Sequence, residues 1–179
     1  MATKKANPSW TDVKAKLANF DRAGLLVLVQ DLYASSKDAQ NFLHTRLLLG
    51  EDVLKPYKAT IDRWLWPDVF KNQDSSVANA KKAISDYKKA IGHPTGIAEL
   101  SLFYCEEAVG LLSWCGMDDE SYYAALVRMF DQAVTAICGL PEAERAQLLE
   151  RLEHLRSKAG RLGWGLKDAF DESWFSVVE

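Results

Sequence analysis

Apolar residues recur every three to four positions along most of this chain, the spacing that gathers them on one face of an α-helix. The alternation typical of a half-buried strand is almost absent. The single β-branched run, Leu25 to Val29, lies inside a longer helical pattern. The pattern therefore predicts an all-α protein of about eight helices.

Helix-start and helix-stop residues divide the pattern into segments. Capping side chains are expected at Ser9, at Asp21, at Ser75 or Ser76, and at Asp118 or Asp119. The predicted helices span about 10–18, 22–34, 37–49, 51–65 (or from Lys55), 76–91, 97–115, 119–138 and 141–158. Short connections favour antiparallel neighbours, so we expect stacked antiparallel helical hairpins in an irregular bundle or a short α-solenoid.

Two of these segments are strongly apolar, and the second helix is apolar nearly all round. The second helix, 22–34, is therefore expected to be well buried. The sixth, 97–115, is interrupted by Glu99, Glu106 and Glu107, which a membrane-spanning helix tolerates poorly. We expect it to be the central helix of the core.

The chain length of 179 residues suggests one domain. We expect a disordered tail over residues 1–7, a single helical domain over 8–165, and an acidic-aromatic C-terminal segment over 166–179. The three cysteines are odd in number and form no CxxC pair, which favours reduced thiols in the cytoplasm. No signal peptide or membrane segment is expected.

The motifs of several enzyme classes are missing. The sequence has no phosphate-binding loop, no GxGxxG, no HExxH, no GxSxG and no Glu-x-x-His pair. No catalytic residue, metal site or cofactor is therefore predicted.

One polar stripe still stands out. Glu99 and Glu106 fall on the same side of the sixth helix, where they form either a buried acid/base pair or a narrow solvated edge. His44 and Arg46 are the other candidates for a polar site.

Lysines cluster on the fifth helix. Residues 71–92 hold five lysines against two aspartates, although the whole chain has a net charge of −3. Four of the lysines span one face of the helix and suit either phosphate contacts or simple solvation. They are Lys81, Lys82, Lys88 and Lys89.

The C-terminal segment mixes acids with large apolar side chains. Trp174 and Phe175 are its candidate contact residues. Such a segment either docks into a partner's groove or folds back on its own domain.

Two stretches resemble a family of small helical bacterial proteins of unknown function. They are Leu28-Val-Gln-Asp-Leu-Tyr-Ala-Ser-Ser with Asn41-Phe-Leu-His-Thr-Arg, and the segment from Ala78 to Ala90 with Gly92 to Leu100. The resemblance implies a prokaryotic cytoplasmic protein and assigns no catalytic residue.

These observations favour a non-enzymatic helical module that binds another protein. The first alternative is a nucleic-acid-associated protein that uses the basic helix 76–91. The second is an enzyme built on the carboxylate pair Glu99 and Glu106. The oligomeric state stays open.

Overall fold

The computed structural model describes residues 7–50 and 52–178, and in those ranges the chain is all-α, as predicted. Nine α-helices and one short 3-10 turn, Val69–Lys71, make up the described part. The helices are α1 Trp10–Leu17, α2 Arg22–Ser35, α3 Lys37–Arg46, α4 Lys55–Leu65, α5 Val77–Ala90, α6 Pro94–Cys115, α7 Glu120–Cys138, α8 Glu142–Ala159 and α9 Leu166–Val177.

The helix starts are fixed by local side-chain caps. Ser9 and Asp12 form a reciprocal capping box at the start of α1. The side chains of Asp21, Ser76 and Asp119 accept hydrogen bonds from backbone N–H groups at the starts of α2, α5 and α7. These caps confirm the predicted boundaries, since each satisfies N–H groups that the helix itself leaves unpaired.

The chain divides into two compact units, residues up to Leu43 and residues from His44 onward. In the second unit α6 is central and packs against α4, α5, α7 and α8, while α9 packs against α7 and α8. α6 buries residues along its whole length, including Leu100, Tyr104 and Leu112. The expectation of a central sixth helix is therefore confirmed.

The acidic-aromatic segment forms α9 and contributes to this core. Leu166 and Phe170 are buried, and the Phe170 ring stacks on Phe130 with 3.7 Å between the ring centroids. The segment therefore folds back on its own unit. At the other end of the chain, residues 1–6 of the predicted tail lie outside the described residues.

The burial expected for the second helix is wrong. No residue of α2 is buried, and Leu26, Val27 and Leu32 are 61%, 57% and 54% exposed. An apolar pattern shows that burial of the helix would be favourable. It does not identify the residues that would bury it.

In the part of the chain that the structure describes, the apolar helices are too short or too polar to span a membrane. Within the two described ranges, no helix is both long enough and apolar enough to cross a bilayer.

Candidate functional site

An arginine joins the two predicted carboxylates. Arg151 of α8 donates from Nη1 to Glu99 Oε2 at 2.6 Å and from Nη2 to Glu106 Oε2 at 2.7 Å. Its Nε donates to Glu106 Oε1 at 3.0 Å, so it grips Glu106 through both arms of its planar fork. Lys58 of α4 adds a bond of 2.5 Å from Nζ to Glu99 Oε1. Glu99, Glu106, Arg151 and Lys58 therefore form a four-residue ion cluster.

The cluster favours the ionised form of Glu99. Burial on its own raises the pKa of Glu99, but hydrogen bonds from Arg151 and Lys58 outweigh it, so that the pKa lies below its ordinary value. The bond to Glu106 is the largest cause that raises the pKa of Arg151. A carboxylate gripped in this way is a poor proton donor near neutral pH, because general acid catalysis needs a pKa near the operating pH.

A cleft opens along α6 and α8 beyond this cluster. It has a volume of about 610 Å³. Apolar side chains contributed by Val109, Leu155 and Leu162 line it, together with basic side chains from α8 and the residues that follow it. The basic residues are His154, Lys158 and Arg161, and Arg151 with Glu106 also lies on the cleft wall.

The two helices run in the same direction along the cleft. Thr95 bonds to Glu144 near their N-terminal ends, and the contact between Glu106 and Arg151 lies further along both helices. A second cleft of about 470 Å³ lies beside Glu99, lined by His93 and Gln147 among others. The ion cluster thus contributes to the walls of two clefts, through Glu99 and through Glu106.

Another acid on α6 has no such cationic partner among the described residues. Glu107 lies on a different side of the helix, and its pKa is raised, first by burial and then by the nearby charges of Asp62 and Glu106. The hydroxyl of Tyr122 is buried without a hydrogen-bond partner among the described residues. Burial is the largest cause of the raised pKa of that phenol, followed by Tyr104 and Cys115, and Glu107 adds a smaller contribution.

The lysines of α5 are partly neutralised within their own helix. Lys82 bonds to Asp86 at 2.7 Å, and Lys89 lies 3.6 Å from the other oxygen of the same carboxylate. Lys81 and Lys88 are exposed. Half of the predicted basic patch is therefore tied to an acid between its members, which weakens its field toward a phosphate backbone.

His44 and Arg46 serve the ends of helices. Arg46 Nη1 donates to the backbone carbonyl of Ala90 at 2.7 Å, which satisfies an acceptor at the end of α5. The backbone carbonyl of His44 accepts from the N–H of Leu49. The ion cluster brings Glu99 and Glu106 together, while Arg46 has this separate structural role.

The two aromatic candidates of α9 differ in exposure. Trp174 is buried and lies under the guanidinium of Arg156, which is 4.9 Å from its ring centroid. Phe175 is 48% exposed. Of this pair, Phe175 alone presents a substantial apolar surface to solvent.

Sequence reasoning missed the basic side of the cleft. Arg151, His154 and Lys158 follow one another at intervals of three and four residues, so their side chains emerge on one face of α8, and Arg161 follows just after the helix ends. That spacing was a usable signal. The register that places this face beside Glu106 depends on packing between helices 45 residues apart.

Comparison with protein-family models, with curated proteins and with solved structures found no match for this chain. Among the described residues, no group of three or more His, Cys, Asp or Glu side chains is placed to hold a metal ion.

Proposed function

We propose that this chain is a non-enzymatic helical protein-interaction module, in which α2 is the contact surface and a second copy of the chain is the partner. The observation that carries the proposal is the exposure of α2. Its large apolar residues are open to water on several sides of the helix, with Leu26 61% exposed.

A helix of this kind needs a cover to be stable. Isolated helices shorter than about 12–15 residues are marginal in water, and most helical stability in proteins comes from packing. α2 has 14 residues. Its rise of about 21 Å is also short of the roughly 30 Å hydrocarbon core of a bilayer, so a protein surface is the better cover.

The exposed area suits a protein interface. Ten large apolar side chains in and around α2 are each more than a third exposed. Clustered exposure of this kind is typical of a protein–protein contact surface. The contributing residues are Trp10, Val13, Phe20, Leu25, Leu26, Val27, Val29, Leu32, Tyr33 and Phe42.

Charge favours a second copy over an oppositely charged partner. Within α2 the ionisable side chains are Arg22, Asp31 and Tyr33, so the helix carries no net charge at neutral pH. Two copies can meet on it without net repulsion, and nothing on it selects an acidic or a basic surface. A pair of identical surfaces is also the commonest symmetry among soluble oligomers.

The two alternatives receive less support. Nucleic-acid binding through α5 is weakened because Lys82 and Lys89 share Asp86. An enzyme built on Glu99 and Glu106 is disfavoured because Arg151 holds both carboxylates in ion pairs. A bacterial cytoplasmic setting belongs to the proposal as well, supported by the family resemblance and by three cysteines that are free thiols.

Sedimentation equilibrium over about 1 to 100 µM tests the proposal directly. The wild type is expected to associate as a dimer. The double variant Leu26→Glu with Leu32→Glu is expected to be monomeric throughout. These positions lie on different sides of α2, so that an interface formed by this helix would take in at least one new carboxylate.

A matched control distinguishes association through α2 from non-specific association through other exposed apolar side chains. Leu47→Glu with Phe70→Glu introduces the same charge at side chains that are 62% and 95% exposed outside α2, and this variant should still dimerise. Circular dichroism checks that both variants stay helical. A wild type that is monomeric throughout the series, or an α2 variant that associates as tightly as the control, would refute the proposal.

A further inference from the structure

We propose that the cleft between α6 and α8 is a binding site for a small organic phosphate with an apolar body. The proposal is independent of association through α2, because every residue that lines the cleft belongs to the second unit. They are Glu106, Val109, Gly110, Ser113, Arg151, His154, Leu155, Lys158, Arg161 and Leu162.

The size of the cleft fits a small molecule. Its volume of about 610 Å³ falls within the roughly 300–1,000 Å³ of known ligand pockets. Gly110 contributes only backbone to the lining. The half-buried side chain of Leu162 provides apolar surface for a ring or an acyl group, and the buried side chains of Val109 and Leu155 lie at the base of the lining.

The charge of the cleft selects an anion. Lys158 and Arg161 are exposed cations with no ion pair among the described residues, and His154 lies one helical turn before Lys158. The acid on the cleft wall, Glu106, is already neutralised by Arg151 at 2.7 Å. The cleft is therefore positive in a protein whose net charge is −3, and such a local contrast attracts anionic ligands.

The arrangement of the cations favours phosphate over carboxylate. A phosphate ester carries close to two negative charges at neutral pH, which matches two unpaired cations, whereas a carboxylate carries one. Arginine also suits phosphate because its planar donors meet two oxygens at once, and lysine adds a point charge beside them. Arg151 is already ion-paired with Glu99 and Glu106, so its role is to fix the cleft wall. Lys158 and Arg161 are the residues that bind the phosphate.

A titration followed by ¹H–¹⁵N correlation NMR tests this site with 1-naphthyl phosphate as the probe. Saturable shifts are expected at the amides of Gly110, Ser113 and Leu155, with a Kd of about 1 mM or tighter. The neutral analogue 1-naphthol and inorganic phosphate should each bind at least tenfold more weakly at these amides. Their comparison separates the contribution of the charge from that of the ring.

A pair of double variants tests whether Lys158 and Arg161 bind the phosphate group. Lys158→Gln with Arg161→Gln should weaken the binding of 1-naphthyl phosphate at least tenfold. Lys81→Gln with Lys88→Gln removes the same charge from exposed positions of α5 and should change the Kd less than twofold. All four side chains are exposed, so neither variant disturbs the core.

Several outcomes would overturn the proposal. Absence of saturation at the cleft amides would exclude the site, and equal binding by 1-naphthol would exclude the anionic requirement. Equal binding by inorganic phosphate would exclude the apolar body. A Kd that responds equally to the α5 control and to the cleft variant would mean that overall charge, and not this cleft, attracts the probe.

Discussion

Two helices of this protein are similarly apolar but differ in how far they are buried. α2 and α6 both carry apolar residues on nearly every side, yet α6 buries residues from Gly96 to Leu112 while α2 buries none. The difference lies in the neighbours, because α6 packs against four other helices.

The comparison separates two meanings of an apolar pattern. On α6 the pattern describes a core that the chain completes by itself. On α2 it describes exposed side chains, with Val27 57% exposed in the middle of the helix. The free energy of unfolding should therefore respond to substitutions in the two helices in different ways.

Leu102→Ala in α6 should have the largest effect. Leu102 is fully buried, and truncating such a leucine leaves a cavity that costs about 2–5 kcal/mol. Urea unfolding should give this loss at every protein concentration, because the cover belongs to the same chain. A loss below about 1 kcal/mol would contradict a rigidly packed α6.

Arg151→Gln should lower the free energy of unfolding by less, about 1–2 kcal/mol at pH 7. It leaves Glu99 and Glu106 without the guanidinium that pairs with both of them in a partly exposed site. The pKa of Glu99 is lowered in the folded state. The contribution is therefore present above the ordinary carboxyl value of 4.5 and is lost as the pH falls through the lower folded value. Urea unfolding of both proteins should converge in acid, and a constant gap would refute the assignment.

Glu107→Gln should have the opposite sign. The pKa of Glu107 is raised in the folded state, so its ionisation at pH 7 opposes folding, and stability is lost as the pH rises through the folded value. The glutamine variant should be more stable at pH 7 by less than about 1 kcal/mol. The gain should vanish below the ordinary carboxyl pKa. A variant that is less stable at pH 7 would show that the carboxylate has a favourable partner.

Leu26→Ala in α2 should have the smallest effect in dilute protein, within about 0.5 kcal/mol, since the side chain is already 61% exposed. At concentrations where the chain associates, the same variant should lower the melting temperature relative to wild type. A dilute loss as large as that of Leu102→Ala would erase the contrast between the two helices.

Much of the fold could be predicted because its determinants are local. The caps at Ser9 and Asp21 need only the next three residues, so the sequence contains the whole interaction. The end of α3 was harder. Leu47 to Leu49 continue the apolar pattern, but the helix stops at Arg46, and Leu48 has a positive φ of 54°.

The site was predictable only in part. Glu99 and Glu106 share a stripe by helical geometry, and the structure keeps them together. Their partners Lys58 and Arg151 lie 41 and 52 residues from Glu99 along the chain. The packing register of three helices sets these contacts, and helical periodicity contains no information about it.

The position of Gly110 links the cleft to the fluorescence of a neighbouring tryptophan. A methyl group at this position would come within 2.8 Å of the Trp66 ring, so the indole rests against the same stretch of α6 backbone that lines the cleft. Occupation of the cleft should alter the emission of that indole. The difference in fluorescence between wild type and Trp66→Phe isolates this signal from the other five tryptophans without any added label.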